Sequence, residues 1–354
     1  MAASVVSGVR IAGLVGAVPS NVRTILEDAE GGGGMEAEKI SQSTGVRQRH
    51  VAPKGICTSD LCLAAAERLL DELGWSRDSV RLLVFVSQTP DYVLPATSCS
   101  LHGRLGLSES CAAFDVNLGC SGYVYGLWVA SQLVGSARGV SRALLLVGDT
   151  ITPLVSPQDQ SVATLFGDAG SATALEGCCN GSEMHFRLGT DGAGQGHLMV
   201  PGGGFRHPRS EGTAVRRIRE DGNVRSDEDL LMNGAEIFAF TLRTVPPLVS
   251  GVLEQAAWTV AEVDAFVMHQ ANRFMLQHLA KRMRLPTDKV VIALEDYGNT
   301  SSASIPLALT VSLGERLRSC EMKLVMAGFG VGLSWAAAAL RCGNLCVPDL
   351  VQVD

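Results

Sequence analysis

Short runs of apolar residues alternate along this chain with segments of helical spacing and with polar turns. In the first half, residues 70–75 end a predicted helix, and a polar turn leads into the apolar run 82–86. The second half repeats this order with a helix end at 253–258, a polar turn and the apolar run 265–268. Short buried strands that alternate with helices are typical of mixed or parallel sheets covered on both faces. The pattern therefore predicts an α/β fold.

The resemblance between the two halves continues at nearly constant spacing. Gly119-Cys120-Ser121 opens a helix rich in small residues, and the strand 143–147 follows it. Gly298-Asn299-Thr300 opens a similar helix, and the strand 324–327 follows that one. Because matched parts recur in the same order, we predict a duplicated α/β unit.

Between the halves lies a long segment of different composition. It contains three consecutive glycines at 202–204 and several clusters of charged residues. Loops of this length are often functional, and a solvated insertion is the alternative. We therefore predict an N-terminal half over residues 1–185, an inserted loop region over 186–232 and a C-terminal half over 233–354.

Composition narrows the possible partners. The chain of 354 residues is 46% hydrophobic and 18% charged, with a net charge of −7, so we predict a globular protein that does not bind nucleic acid. No continuous apolar run approaches the roughly 20 residues of a spanning helix, and the N-terminus does not resemble a signal peptide. The ten cysteines form no Cys-x-x-Cys pair and have no histidine at zinc-ligand spacing. We predict a reduced, cytoplasmic protein without membrane association, bound metal or cofactor.

One cysteine differs from the others in its setting. Cys120 lies on a predicted strand-to-helix turn, where the helix dipole and free N–H groups favour a thiolate. A buried structural cysteine is the alternative. His269 follows a strand of the second half, where a buried structural histidine is the alternative, and Asn299 occupies the turn that corresponds to that of Cys120. If the halves are related by a pseudo-twofold axis, these three residues meet in one site.

Longer motifs surround these residues. They are FDVNLGCSGYVY at 114–125, LFGD at 165–168, HQAN at 269–272, GNTSSASIP at 298–306 and GFGVG at 328–332. In content and in order, over nearly the whole chain, they resemble the signature stretches of the β-ketoacyl-acyl-carrier-protein synthase III family of the thiolase superfamily. The resemblance implies an acyltransferase with a thiolase-like fold, in which duplicated α/β halves have mixed sheets sandwiched between helix layers.

The resemblance also implies a two-step reaction. Cys120 takes an acyl group from a thioester, and His269 and Asn299 then stabilise the enolate that forms as a malonyl-type thioester loses carbon dioxide. The backbone N–H groups of Cys120 and Val331 would form an oxyanion hole, although the family usually has Gly where Val331 stands. Two alternatives stay open. One is acyl transfer from Cys120 to a hydroxyl or amine with His269 as general base, and the other is a catalytically silent partner subunit.

Two positions depart from the family pattern. Lys39 and Gln160 stand where the best-known members have the Trp and Arg that sandwich the adenine of coenzyme A. Loss of this clamp weakens binding of the coenzyme. We therefore expect acyl-carrier protein to be the better donor, with acyl-coenzyme A thioesters as the alternative.

An acidic carrier protein requires a basic docking surface. The helix after His269 supplies Arg273, Lys281, Arg282 and Arg284, and at about 100° per residue Arg273 and Arg284 fall near one face. A solvated helix face is the alternative.

The acyl tunnel is predicted to involve Leu94 and Phe329. Leu94 stands where relatives often have a Phe that closes the tunnel of the neighbouring subunit, so the resemblance implies a homodimer. The smaller side chain predicts a longer pocket.

Overall fold

Two large mixed β-sheets, three two-stranded sheets and three layers of helices make up the described part of the protein. The computed structural model describes residues 1–28, 34–136, 141–179 and 181–354. The α-helices of the described residues are α1 (Ile25–Asp28), α2 (Gly34–Thr44), α3 (Thr58–Leu73), α4 (Thr97–Arg104), α5 (Gly122–Ser136), α6 (Glu211–Ala214), α7 (Gly234–Gln255), α8 (Arg273–Met283) and α9 (Ser304–Ser319). The strands are β1 (Ala2–Val6), β2 (Val9–Pro19), β3 (Val22–Thr24), β4 (Gln48–His50), β5 (Leu82–Val86), β6 (Ala112–Val116), β7 (Arg142–Val147), β8 (Gly170–Gly177), β9 (Met184–Thr190), β10 (Leu198–Met199), β11 (Arg217–Ile218), β12 (Val224–Arg225), β13 (Leu231–Met232), β14 (Ala265–Met268), β15 (Met322–Gly330), β16 (Ser334–Cys342) and β17 (Val351–Val353).

The two large sheets have the same internal order. The first runs β17-β2-β8-β7-β5-β6 and the second runs β1-β9-β16-β15-β14. In the first, β7 is parallel to β5 and antiparallel to β8; in the second, β15 is parallel to β14 and antiparallel to β16. A parallel bridge from Phe266 to Val290 takes the place that β6 has in the first sheet. The duplication predicted from the sequence is thus present in the topology.

The helices form layers on and between the sheets. Helices α5 and α9 each contact strands of both sheets and form the middle layer. Helix α3 covers the outer face of the first sheet through β2 and β8, and α7 covers the second through β9, β15 and β16. The predicted thiolase-like sandwich of mixed sheets and helix layers is confirmed.

Two terminal strands cross between the predicted halves. Strand β1, at the start of the chain, pairs with β9 in the second sheet. Strand β17, at its end, pairs with β2 in the first sheet. The boundaries at residues 185 and 233 remain a prediction, and neither sheet consists of one continuous part of the chain.

Small residues let α5 approach the sheet closely. A β-carbon at Gly122 would lie 2.8 Å from Cγ1 of Val86, and one at Gly126 would lie 2.8 Å from Cδ1 of Leu145. Larger side chains there would push the helix away from its strands. Because α5 begins two residues after Cys120, this contact also fixes the position of the cysteine.

By length and composition, α7 could span a membrane. Its 22 residues contain an 18-residue stretch with a mean hydropathy of 1.2, and 56% of that stretch is buried within the fold. Polar residues interrupt its sequence, so it contains no continuous apolar run of that length. Since α7 covers the second sheet, core packing accounts for its apolar face.

The inserted loop region is tied to the N-terminal half. Its hairpin β11–β12 places Arg225 beside Asp159, and this buried ion pair has an N–O distance of 2.5 Å. The backbone N–H of Leu230 also donates to the carbonyl oxygen of Leu154 at 2.7 Å. The region is therefore part of the core as well as a surface loop.

Candidate active site

The turn that carries Cys120 joins strand β6 to helix α5. Cys120 is buried, with 6% of its surface exposed. A hydrogen bond from the Gly122 N–H to the Gly119 carbonyl oxygen, at 2.6 Å, closes the turn. This is the strand-to-helix position that the sequence predicts.

Burial determines the protonation of the cysteine. It raises the pKa of the Cys120 thiol to about 11, because a thiolate there loses its hydration. The Val331 N–H and the Ser301 hydroxyl lower this pKa, and the nearby Asp149 raises it. The expectation of a thiolate stabilised by the helix is therefore wrong for the free protein. Desolvation outweighs the hydrogen bonds that favour the thiolate, so the group is a thiol at neutral pH.

His269 follows strand β14 and is 2% exposed. Its backbone N–H donates to the Ala327 carbonyl oxygen at 2.8 Å, which continues the pairing of β14 with β15. Nδ1 lies 2.8 Å from Oγ of Ser304, and the ring meets that of Phe329 edge-on with centroids 5.7 Å apart. Burial lowers the pKa of His269 to about 4, so the ring is neutral at pH 7.

Asn299 is held by its backbone and by its amide oxygen. Its N–H donates to the Leu165 carbonyl oxygen at 2.9 Å, and its own carbonyl oxygen accepts from Gly167 at 3.1 Å. Oδ1 accepts the Ser301 N–H at 3.0 Å. Because Oδ1 is fixed in this way, the NH₂ group of the amide points in the opposite direction.

Two cavities meet at the cysteine. The first cavity, of about 260 Å³, is lined by Gln88, Asn117, Cys120, Ile151, Leu154, Phe166, Leu198, Met199, Val200, Leu230, Ser301 and Val331. The second cavity, of about 80 Å³, is lined by Cys120, Leu165, Phe166, Leu198, Met232, Gly234, Ile237, Thr241, His269, Ala271, Asn272, Met275, Asn299, Phe329 and Gly330. The structure thus brings the three predicted catalytic residues together in the second cavity.

The segment after β15 faces the cysteine. The Val331 N–H hydrogen-bonds to the Cys120 thiol, and so does the N–H of Cys120 itself. A β-carbon at Gly330 would lie 2.7 Å from both Cβ and Sγ of Cys120. The positive φ angles of this segment fall on Gly330 and Gly332 rather than on Val331. Valine is therefore compatible with the turn, and the oxyanion role of the Cys120 and Val331 N–H groups stays a prediction.

The two predicted tunnel residues lie in different places. Phe329 lines the second cavity and contacts the His269 ring. Leu94 is 79% exposed and lines neither cavity of its own chain. Its predicted role in a neighbouring subunit stays a prediction.

The predicted docking residues are separated by the end of a helix. Helix α8 ends at Met283, and Arg284 has a left-handed backbone with φ 53°. The prediction that Arg273 and Arg284 share a helix face is therefore wrong, since the helical spacing stops before Arg284. Arg273 pairs with Glu295 at 2.8 Å, whereas Lys281 and Arg282 lie in the last turn of α8.

The two positions of the missing adenine clamp are exposed. Lys39 lies on α2. Gln160 lies in a loop, and its backbone N–H donates to Oδ1 of Asn223 at 3.0 Å. Asn223 belongs to the turn of the β11–β12 hairpin. The inserted loop region therefore contacts Gln160, which occupies the position of the arginine in the family pattern.

Sequence reasoning missed the residues that support the site. Ser304 contacts His269, Ser301 contacts both Cys120 and Asn299, and the buried Asp149 lies behind them. Ser301 has a φ of 49°, which is unusual for a residue with a side chain. The serine-rich motif at 298–306 indicates these residues in the sequence. Serines near a helix start also cap helices and form turns, so the motif alone does not identify them as part of the site. Among the described residues, no three His, Cys, Asp or Glu side chains are grouped so as to hold a metal ion.

Comparison with known proteins gives consistent results. The family model described as 3-oxoacyl-[acyl-carrier-protein (ACP)] synthase III matches residues 114–192, and that of its C-terminal part matches residues 253–342. The β-ketoacyl-[acyl-carrier-protein] synthase III of Symbiobacterium thermophilum is 37% identical over 339 residues, which cover 95% of this chain and 98% of the relative.

Solved structures agree over the same length. The crystal structure of a 3-oxoacyl-(acyl-carrier protein) synthase from Burkholderia xenovorans superposes with a TM-score of 0.94 at 45% identity and covers 99% of both chains. The synthase III from Pseudomonas aeruginosa superposes with a TM-score of 0.80 at 31% identity, over 97% of this chain and 100% of the other. From its sequence and its structure alike, this chain belongs to the 3-oxoacyl-[acyl-carrier-protein] synthase III family.

Proposed function

We propose that this acyltransferase of the ketoacyl synthase III type condenses an acyl group held on Cys120 with a malonyl-type thioester, as a cytoplasmic homodimer. The observation that carries the proposal is the meeting of Cys120, His269 and Asn299 in one buried cavity. Three separate loops supply these residues, and their side chains are of the types that the reaction requires.

The first step is a thioester exchange. Sγ of Cys120 attacks the acyl carbonyl, the bond from that carbonyl to the donor sulfur breaks, and the thiol proton leaves with the donor as a free thiol. The N–H groups of Cys120 and Val331 stabilise the oxyanion of the intermediate. Since burial raises the pKa of the thiol to about 11, proton transfer accompanies the attack.

The second step forms the carbon–carbon bond. The bond between the malonyl α-carbon and its carboxylate breaks, carbon dioxide leaves, and the electron pair becomes an enolate. Nε2–H of neutral His269 and the NH₂ group of Asn299 bind the enolate oxygen. The Ser304 hydroxyl supports this His269 tautomer when it donates to Nδ1 at 2.8 Å. The enolate carbon then attacks the acyl carbonyl, the bond from that carbonyl to Sγ of Cys120 breaks, and the released thiolate takes a proton from water.

The first cavity fits an acyl chain of several carbons. Its 260 Å³ correspond to roughly eight or nine water molecules, which is more than an acetyl group occupies. Apolar side chains of the N-terminal half and of the inserted loop region line it, and Leu198, Met199 and Leu230 come from the inserted loop region. Each additional methylene buried there contributes about 0.8 kcal/mol. Loading should therefore improve with chain length until the cavity is full.

Acyl transfer to a hydroxyl or amine is less consistent with the site. That reaction needs His269 to act as a general base, which works best when the pKa lies near the working pH. Burial lowers the pKa of His269 to about 4, so the ring is a weak base and a suitable neutral donor. A silent partner subunit would not need the three aligned side chains.

Acyl-carrier protein is the donor that we propose. Lys39 and Gln160 leave no stacked clamp for adenine. Phe274, His278 and Lys281 lie four and three residues apart on α8 and so share one face. Phe274 is 51% exposed and its ring lies 4.1 Å from that of His278, which provides an apolar contact beside the positive charge. Lys281 and Arg282 complement an acidic carrier.

An apolar loop supports the proposed homodimer. Tyr92, Val93 and Leu94 are consecutive and 63%, 78% and 79% exposed. Edge strand β6 of the first sheet provides a neighbouring surface on which a second copy of the chain can pair. Sedimentation of Leu94→Asp, with Phe205→Asp in the inserted region as the matched control, tests this. A Leu94→Asp protein that sediments as the wild type does would contradict the interface.

The proposed reaction is tested by mass spectrometry of the intact protein. The protein is incubated with acyl-carrier and acyl-coenzyme A thioesters of increasing chain length, and the acylated form is then mixed with malonyl-carrier protein. We expect one acyl group per chain, its loss on addition of malonyl thioester, and a β-ketoacyl product. Loss of the acyl group only to alcohols or amines, with no carbon dioxide released, would favour the alternative reaction.

A further inference from the structure

A fully buried carboxylate lies behind the active site. Asp149 follows strand β7 and is 0% exposed. Oδ1 accepts the Gln88 N–H at 2.7 Å and the Ser87 hydroxyl at 3.1 Å. Oδ2 accepts the Ser302 N–H at 3.2 Å and the Ser302 hydroxyl at 2.7 Å. Each carboxylate oxygen thus receives one backbone N–H and one hydroxyl.

These partners come from opposite halves of the molecule. Ser87 and Gln88 follow strand β5 of the first sheet, whereas Ser302 belongs to the turn between Asn299 and α9 in the second half. These hydrogen bonds come from uncharged donors. Burial raises the pKa of Asp149, and the hydrogen bonds from Gln88, Ser302 and Ser301 lower it. Burial of a carboxylate is costly unless hydrogen bonds compensate its lost hydration.

Each partner is adjacent to a reacting group. The Gln88 side chain packs directly against Gly119, the residue before Cys120, and leaves no room there for a β-carbon. On the other side, the turn that contains Ser302 begins at Asn299 and leads into Ser304, which contacts His269. Asp149 therefore links Gln88, which packs beside the turn of Cys120, to the turn that carries Asn299 and leads to the contact with His269.

We propose that Asp149 is a positioning residue for the condensation step, because its carboxylate holds the Asn299–Ser304 turn at a fixed distance from Cys120. This inference rests on the proposed function, since it assigns the residue to the geometry of that reaction. A misplacement of about 1 Å is enough to slow a reaction about a hundredfold.

The charge of Asp149 provides a second, independent readout. After burial and the Val331 hydrogen bond, Asp149 is the next influence on the Cys120 thiol, and it raises the pKa of that group. Asp149→Asn removes the charge and keeps the shape. It should therefore shift the pH profile of Cys120 alkylation to lower pH, which a purely structural role would not do.

The experiment compares Asp149→Asn with Asp168→Asn. Asp168 is also 0% exposed and accepts backbone and hydroxyl donors, from Ala52 and Thr152, but Oδ1 and Oδ2 do not bridge the two catalytic turns. Condensation is followed with pre-acylated protein and malonyl-carrier protein, and alkylation of Cys120 by iodoacetamide is followed by peptide mass mapping from pH 6 to 10.

We expect Asp149→Asn to slow condensation at least tenfold and to shift the alkylation profile to lower pH, and Asp168→Asn to leave that profile in place. Unchanged condensation, or an unshifted profile in Asp149→Asn, would overturn the inference. If Asp149→Asn does not fold, Ser302→Ala replaces it, and this variant should slow condensation without moving the profile to lower pH. Normal condensation by Ser302→Ala would then overturn it. If wild-type protein loads acyl groups but never condenses them, the proposed function fails, while the alkylation profile still reports the charge effect.

Discussion

The contact between Gly330 and Cys120 allows a sharp test of the active-site geometry. In Gly330→Ala, the new methyl group would lie 2.7 Å from both Cβ and Sγ of Cys120. Carbon atoms pack at about 3.5–4.0 Å, so the two segments must separate by about 1 Å. Overpacking of this kind costs about 1–3 kcal/mol, and the positive φ of Gly330 adds backbone strain of about 1–3 kcal/mol for alanine. The sum lies below the upper part of the roughly 5–15 kcal/mol by which native proteins are stable. We therefore expect a folded protein with a displaced nucleophile.

The displacement should affect catalysis far more than stability. A shift of about 1 Å at the reacting atoms can cost about a hundredfold in rate. Acyl loading, measured as the mass gain of the intact protein in a single turnover, should fall by that order in Gly330→Ala, while thermal unfolding moves by only a few degrees. Gly196→Ala is the control, because no atom lies within 4 Å of a β-carbon at that position. Loading by folded Gly330→Ala at the wild-type rate would refute the close packing of β15 on the cysteine.

Three further predictions concern the reacting groups and the donor. Cys120→Ala should give no acylated protein detectable by mass, and persistent loading would place the nucleophile elsewhere. Because burial lowers the pKa of His269 to about 4, the ring stays neutral above that pH, and condensation by pre-acylated protein should keep its rate from pH 7 to 5; a decline centred near pH 6.5 would contradict this. Lys281→Glu should slow loading from acyl-carrier protein several-fold at low salt and less at high salt, because exposed charges are screened over about 10 Å at 0.1 M. Arg68→Glu on α3 is the control, and equal effects of both variants would show a general charge effect.

The sequence determined the architecture and the three central residues. Strand ends and helix starts are encoded locally, in apolar runs followed by glycine-containing turns, and the repeated order of these parts places Asn299 opposite Cys120. His269 follows from the same reasoning, since it ends the strand of the second half that corresponds to β5. These inferences depend on neighbours in the chain and on one symmetry relation.

Protonation could not be inferred in this way. The sequence places Cys120 at a helix N-terminus, which favours a thiolate, but burial raises the pKa of the thiol to about 11. Desolvation depends on every element packed around the group, including β15 and the turn after Asn299. Only the tertiary structure determines how much water the sulfur loses.

The docking residues and the support of the site were also decided by tertiary structure. Spacing on an ideal helix placed Arg284 beside Arg273, but α8 ends at Met283, and a left-handed residue turns the chain there. Asp149 gives no local signal, since an acidic residue after a strand is common and its four donors come from distant parts of the chain. Both outcomes have one physical reason. Local patterns specify which elements form, whereas the ends of those elements and the contacts of buried polar groups depend on how the elements pack together.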